Sequence, residues 1–100
     1  MEKNRPHNKL AVIKQLVQSG QVRTTGVARE GALALNLDVP GMLQVILALQ
    51  PGDFYKSMTS YENSKEWQDV YEPSTPHGNI YLKLIVSNGL LVISFKESTE

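Results

Sequence analysis

The sequence predicts an α+β domain: three N-terminal helices packed on one face of a mostly antiparallel, twisted sheet. Three observations carry that expectation. Up to Leu49 the apolar residues recur at helical spacing, and after Pro51-Gly52 they alternate. An Asn-Gly pair at Asn88-Gly89 joins the two most apolar runs, the strongest short hairpin signal because both residues tolerate positive φ. Helices in sequence followed by strands in sequence segregate into this class.

The first helix is expected over 7–19, with Leu10, Ile13 and Val17 as its apolar stripe and Val12 and Leu16 beside it. Pro6 lies ahead of it, and Gly20 falls at the C-terminal cap. Residues 21–24 read as an edge strand or a connector. Thr24 or Thr25 can cap a second helix over about 26–36, whose core candidates are Val27, Ala28, Leu33, Ala34 and Leu35. Pro40 suits the first turn of a third helix over about 40–50. There Met42, Val45, Ile46 and Leu49 share a face, with Met42 as core filler.

Four strands follow, over 54–61, 67–72, 80–86 and 90–96, and Glu97 to Glu100 is a polar tail. Ile80, Leu82, Leu84 and Val86 are uniformly apolar and should meet the helices, which turns Tyr81 and Lys83 to the other side. In the last strand alternation makes Leu91, Ile93 and Phe95 the apolar set, with Ser94 and Lys96 opposite, alongside Leu90 and Val92. Gln68, Val70 and Glu72 share a side that parity does not identify. Lys56 is in phase with Phe54 and Met58, so its face is equally open. The pattern yields an uncovered face carrying Tyr81, Lys83 and Lys96, with Lys56 and Gln68 as further candidates.

Length and composition bound the function. One hundred residues make a single domain over 1–100, and 41% hydrophobic with 20% charged residues is ordinary for a folded one. No cysteine is present, so disulfides and thiolate metal sites are excluded, which fits a reducing, cytoplasmic setting. The N-terminus has no apolar signal-peptide region, and no apolar run is long enough to span a membrane. Ten Lys and Arg balance ten Asp and Glu. Residues 54–100 hold four basic and six acidic residues, so phosphate binding there must rest on a few placed cations.

Gly-rich phosphate loops, nucleophile elbows and His/carboxylate metal spacings are missing from the sequence. His7 reads as a solvated helix-start residue and His77 as an exposed turn residue. The carboxylates Glu62, Glu66, Asp69 and Glu72 read as solvated, and Trp67 and Tyr71 as core or cross-strand packing. What remains is a set of lysines, a tyrosine and a glutamine, and such a set can cleave RNA through the adjacent 2′-hydroxyl. A lysine of lowered pKa can act as base, a second can neutralise phosphorane charge, and tyrosine and glutamine can donate hydrogen bonds. Crowding two ammonium groups should lower the pKa of one of them.

The segments Asp53–Thr59, Trp67–Tyr71, Tyr81–Lys83 and Ser94–Lys96, with Glu2-Lys3, Pro6-His7 and Gly20–Thr25, closely resemble the MqsR family of mRNA interferase toxins. The resemblance covers essentially the whole chain. It implies a RelE-like fold and a ribonuclease that needs no metal or cofactor and prefers GCU sites in mRNA. It also implies a cognate antitoxin with a zinc-containing domain and a helix-turn-helix domain. By the same resemblance Lys56, Gln68, Tyr81 and Lys96 are the catalytic positions, and Tyr55, Met58 and Lys83 would bind RNA. One departure stands out: the family carries arginine directly after Trp-Gln-Asp-Val-Tyr, where this chain has Glu72.

Overall fold

The structure, a computed structural model, describes residues 1–99; Glu100, the last residue of the expected tail, lies outside them. In chain order the elements are β1 (Glu2–Lys3), α1 (Leu10–Gln18), β2 (Val22–Thr24), α2 (Gly26–Ala34), α3 (Val39–Leu47), a 3-10 turn (Pro51–Asp53), β3 (Phe54–Thr59), β4 (Trp67–Tyr71), β5 (Ser74–Thr75), β6 (Gly78–Val86) and β7 (Leu90–Glu97). The three helices and four main strands fall where periodicity puts them. The two-residue strands β1 and β5 are too short to leave a period in the sequence.

Local chemistry sets the helix ends. α1 stops where Gly20 turns to φ 76° and the Gln21 N–H donates to the Leu16 carbonyl at 2.8 Å. Thr25, not Thr24, caps α2 by accepting from the Ala28 N–H at 3.1 Å. Asn36, at φ 62°, ends that helix, and the Leu37 N–H reaches the Ala32 carbonyl at 2.9 Å. Asp38 caps α3 through the Gly41 N–H at 2.8 Å, with Pro40 in the first turn.

The sheet runs β1-β3-β4-β6-β7-β2, with β5 paired to β6. Every pairing is antiparallel except β2 with β7, so residues 21–24 form an edge strand and the sheet is mixed. Asn88 and Gly89, at φ 52° and 103°, close the β6–β7 hairpin. One core joins Ile13 and Val17 of α1, Ala28 and Ala32 of α2, and Met42, Val45 and Ile46 of α3 to Tyr71, Ile80, Leu82, Leu84, Leu90, Val92 and Phe95 of the strands. In α2 the expected set needs correcting. Val27 and Leu33 are 69% and 66% exposed, because the buried stripe follows Ala28, Ala32 and Leu35 at i, i+4 and i+7. Ala34 is exposed as well.

Two β-bulges decide which residues face that core. In β3, Phe54 pairs with Tyr71 and Lys56 with Val70, leaving Tyr55 as the extra residue. Phe54 therefore packs against the core beside Tyr71, ring to ring at 5.5 Å and 74°. Lys56 and Met58 fall on the other side, with Val70 and Gln68 across from them. In β7, Lys83 pairs with Ser94 but Leu84 pairs with Val92, so Ile93 is extra. That reverses the expected parity at the start of the strand: Leu90 and Val92 are buried in the core with Phe95, while Leu91 lies opposite Ile85. Ser94 and Lys96 stay on the uncovered side, opposite Lys83 and Tyr81.

Gly31 brings α2 against the strand that carries Lys96. A Cβ there would stand 1.9 Å from the Phe95 carbonyl oxygen and 3.3 Å from the Lys96 Cβ. Gly31→Ala should therefore force helix and strand apart and destabilise the fold by about 3 kcal/mol, read by urea unfolding, despite alanine's better helix propensity.

Tyr71 is 1% exposed, and among the described residues its hydroxyl has no hydrogen-bond partner. Burial, with Asp69 and Asp53 nearby, pushes its phenol up to about 12. The unfolded chain loses this proton near pH 10, so above that it binds fewer protons than the folded one, and stability falls as pH rises. Denaturant titrations should lose about 1.4 kcal/mol per pH unit from this residue between roughly pH 10 and 12. Tyr71→Phe should remove that component and, with no unpaired hydroxyl to bury, be at least as stable at neutral pH.

Candidate active site

The bulge at Tyr55 and the regular pairing of β6 with the end of β7 bring side chains from three strands to one groove. Its volume is 480 Å³, and Tyr55, Lys56, Glu72, Tyr81, Lys96 and Glu97 line it. Tyr81 sits directly across from Lys96, whose ammonium lies 5.4 Å from the tyrosine ring centre. Lys83 approaches the same ring at 5.8 Å, and Lys56 lies 5.2 Å from the ring of Tyr55. These are cation–π distances, so the aromatic faces help hold the cations together. Tyr55 is itself 52% exposed, an open ring at the groove wall.

Four of the seven residues picked out in the sequence, Tyr55, Lys56, Tyr81 and Lys96, share this groove. Gln68 and Met58 form a register pair on the same side of the sheet, but neither lines the groove. Lys83 lies between Val70 and Ser94 in the row beside it, also outside the lining.

Protonation follows from these surroundings. The hydrogen bond that the Lys56 ammonium donates to Glu2 Oε2 at 3.0 Å raises the Lys56 pKa above the lysine norm, against a smaller loss from burial. Lys56 is thus a fixed cation. The lysine moved down is Lys83, first by burial and then by the charges of Lys96 and Lys56. Crowding does depress one lysine, and it is one beside the groove. Burial raises the Tyr81 phenol, with Lys56 pulling the other way, so it keeps its proton and can donate.

Other expectations fail for identifiable reasons. Asp69 is fully buried, not solvated, because β4 turns it to the side of Tyr71 and Leu84. It accepts from the backbone N–H groups of His7 and Asn8 at 2.9 and 3.0 Å, from the Asn8 side chain, and from Ser57 Oγ. His7 is exposed, as expected, but it does not open the helix and it has partners. It lies before α1, stacks on Trp67 at 5.5 Å, and its Nδ1 is 2.9 Å from the Lys3 ammonium, which also sits over Trp67 at 4.0 Å. Trp67 accordingly holds the N-terminal segment instead of filling the core.

Glu2 is the residue that pattern reading passed over. It reaches the site from β1, where it pairs with Met58 and so points to the Lys56 side. A two-residue edge strand has no period, and only the likeness of Glu2-Lys3 to the family hinted at it.

Fold and groove together define a small α+β protein whose sheet carries a surface groove lined by lysines, tyrosines and glutamates. Residues 5–97 match the family described as motility quorum-sensing regulator, toxin of MqsA. The chain is also 50% identical over 97 residues to a protein of Escherichia coli (strain K12) named mRNA interferase toxin MqsR, covering 97% of this chain and 99% of that one. This chain belongs to that toxin family.

Proposed function

We propose that the protein is the toxin of a toxin–antitoxin pair and acts as an endoribonuclease on mRNA, with a RelE-like fold and a cytoplasmic site of action. The observation that carries the reading is the convergence of Lys56, Lys96 and two tyrosines in one open groove. The printed name of the Escherichia coli relative supports the same activity. Cleavage at GCU-like sites, and an antitoxin with zinc-binding and helix-turn-helix domains, extend the proposal from the resemblance.

In this scheme the 2′-oxygen attacks the adjacent phosphorus and the 5′-oxygen leaves, giving a 2′,3′-cyclic phosphate and a 5′-hydroxyl end. Lys56 stays charged and offsets the extra negative charge of the phosphorane, a role that its raised pKa favours over that of base. Lys96 and the phenol of Tyr81, paired across the hairpin, face the leaving oxygen from the opposite wall. Tyr55 offers a stacking surface for a base. Gln68 and Met58, one row along the sheet, and Lys83 beside the groove would contact the neighbouring nucleotides.

The acidic side chains Glu72 and Glu97 in the lining favour a second reading, a non-catalytic RNA- or protein-binding module on the same fold. Incubating the purified protein with an mRNA in the presence of a chelator, and mapping the ends, separates the two. Cut RNA with cyclic phosphate ends supports the nuclease, and bound but intact RNA supports the module. Lys56→Ala and Lys96→Ala should each lower the cleavage rate about 100-fold or more and relieve growth arrest on expression, with unchanged melting temperature. Full toxicity of both would overturn the site. Glu72→Arg removes a negative charge from the groove and adds a positive one, so RNA affinity at low salt should rise severalfold in a binding titration.

A further inference from the structure

Attack by a 2′-hydroxyl requires something to take its proton. Lys56 and Tyr81 are unsuited, since the first is held charged by its carboxylate partner and the second is kept a neutral phenol by burial. Neither histidine lines the groove, and His7 is engaged with Trp67 and Lys3. Lys83 lines neither this groove nor the depression that adjoins it at Tyr55 and Lys56. The acceptors within reach are carboxylates, and one of them is built into place.

That one is Glu2. Its Oε2 lies 3.0 Å from the Lys56 ammonium, and its register position opposite Met58, itself opposite Gln68, puts it on the groove side of the sheet. The short strand that carries it is tied down along its length. The Thr59 N–H donates to the Met1 carbonyl at 2.9 Å, Lys3 lies over Trp67, and the backbone of His7 and Asn8 is bound to buried Asp69. A second depression of 410 Å³, lined by Glu2, Lys3, Asn4, Tyr55 and Lys56, meets the first groove at Tyr55 and Lys56, the two residues they share. A nucleic-acid strand crossing that shared edge would place one nucleotide in each depression, with the phosphate between them at the Lys56 ammonium.

We propose that Glu2 is the proton acceptor of the cleavage reaction, aimed by Lys56, and that the scissile phosphate sits where the two depressions meet. The proposal rests on the ribonuclease reading above. As the bond from the 2′-oxygen to phosphorus forms, the hydroxyl proton passes to the Glu2 carboxylate. As the bond from phosphorus to the 5′-oxygen breaks, that oxygen takes a proton from the Lys96 ammonium or the Tyr81 phenol across the groove. Solvent then removes the proton from Glu2 and restores the donor. Lys56 remains charged throughout and changes no bond.

The test compares Glu2→Gln with Glu2→Asp on an RNA oligonucleotide and measures binding to its uncleavable 2′-deoxy counterpart. Glutamine keeps an oxygen for the Lys56 ammonium but cannot accept the proton, whereas aspartate keeps the base and shortens its reach. Glu2→Gln should lower kcat about 100-fold or more, leave KM and 2′-deoxy binding within threefold or tighter, and be slower than Glu2→Asp. Glu2→Gln within threefold of wild type, or no slower than Glu2→Asp, would overturn the proposal and leave Glu2 as a counterion to Lys56. A loss in Glu72→Gln without one in Glu2→Gln would move the role to Glu72 and overturn it equally. If wild type cuts and Lys96→Ala does not, failure of the Glu2 variants counts against Glu2 alone. If wild type itself leaves RNA intact, the ribonuclease reading falls and takes this proposal with it. The Glu2 side chain is 59% exposed, so its variants should fold, and melting temperature checks that.

Discussion

A sheet face can carry chemistry only if its polar side chains point away from the core, and in this chain two inserted residues enforce that. Without the extra residue at Tyr55, β3 could not send both Phe54 inward and Lys56 outward. Without the extra residue at Ile93, β7 could not bury Leu90, Val92 and Phe95 and still present Lys96 opposite Tyr81. Bulges recur beside functional sites because they re-aim a side chain at the cost of a pair of ladder bonds. Here each serves one of the two lysines in the groove, and α2 seats on the second strand through the bare backbone of Gly31.

Charge is arranged with the same economy. The molecule is neutral overall, so no broad field draws in a polyanion. Burial, and then the charges of Lys96 and Lys56, lower the Lys83 pKa instead, while the hydrogen bond that Lys56 donates to Glu2 outweighs the effect of burial at Lys56. The ion pair is partly solvated and contributes at most about 1 kcal/mol to stability. Its weight lies in setting which group holds a proton. The device depends on the far side of the sheet, where buried Asp69 binds the backbone of residues 7 and 8 and so fixes the path of the N-terminal strand.

Much of this was legible in the residues. Helix caps, the Asn88-Gly89 hairpin and the apolar run of β6 all announced themselves locally, since each rests on a residue type with one strong conformational preference. The faces of Lys56 and of Leu90 to Ile93 were not legible, because strict alternation has no way to register an inserted residue. Asp69 looked like a solvated charge until the segment between β1 and α1 supplied backbone donors from more than sixty residues away and Ser57 supplied a hydroxyl from the neighbouring strand. Val27 and Leu33 misled for the opposite reason: they are apolar, yet the helix turns its smaller alanines inward so that it can lie close to β7. Alternation left Gln68 as one candidate among several, and the family likeness singled it out together with Met58, its register partner one row from the groove.

The claim on which all of this turns is that a single bound RNA phosphate senses lysines brought together from β3, β6 and β7. The direct measurement is an NMR titration of side-chain lysine signals with a 2′-deoxy substrate analogue that cannot be cut. Signals of Lys56, Lys83 and Lys96 should move together and saturate with one binding constant, while those of Lys9 and Lys14 stay in place. Movement confined to the N-terminal lysines, or separate binding constants for the three sheet lysines, would contradict a shared site.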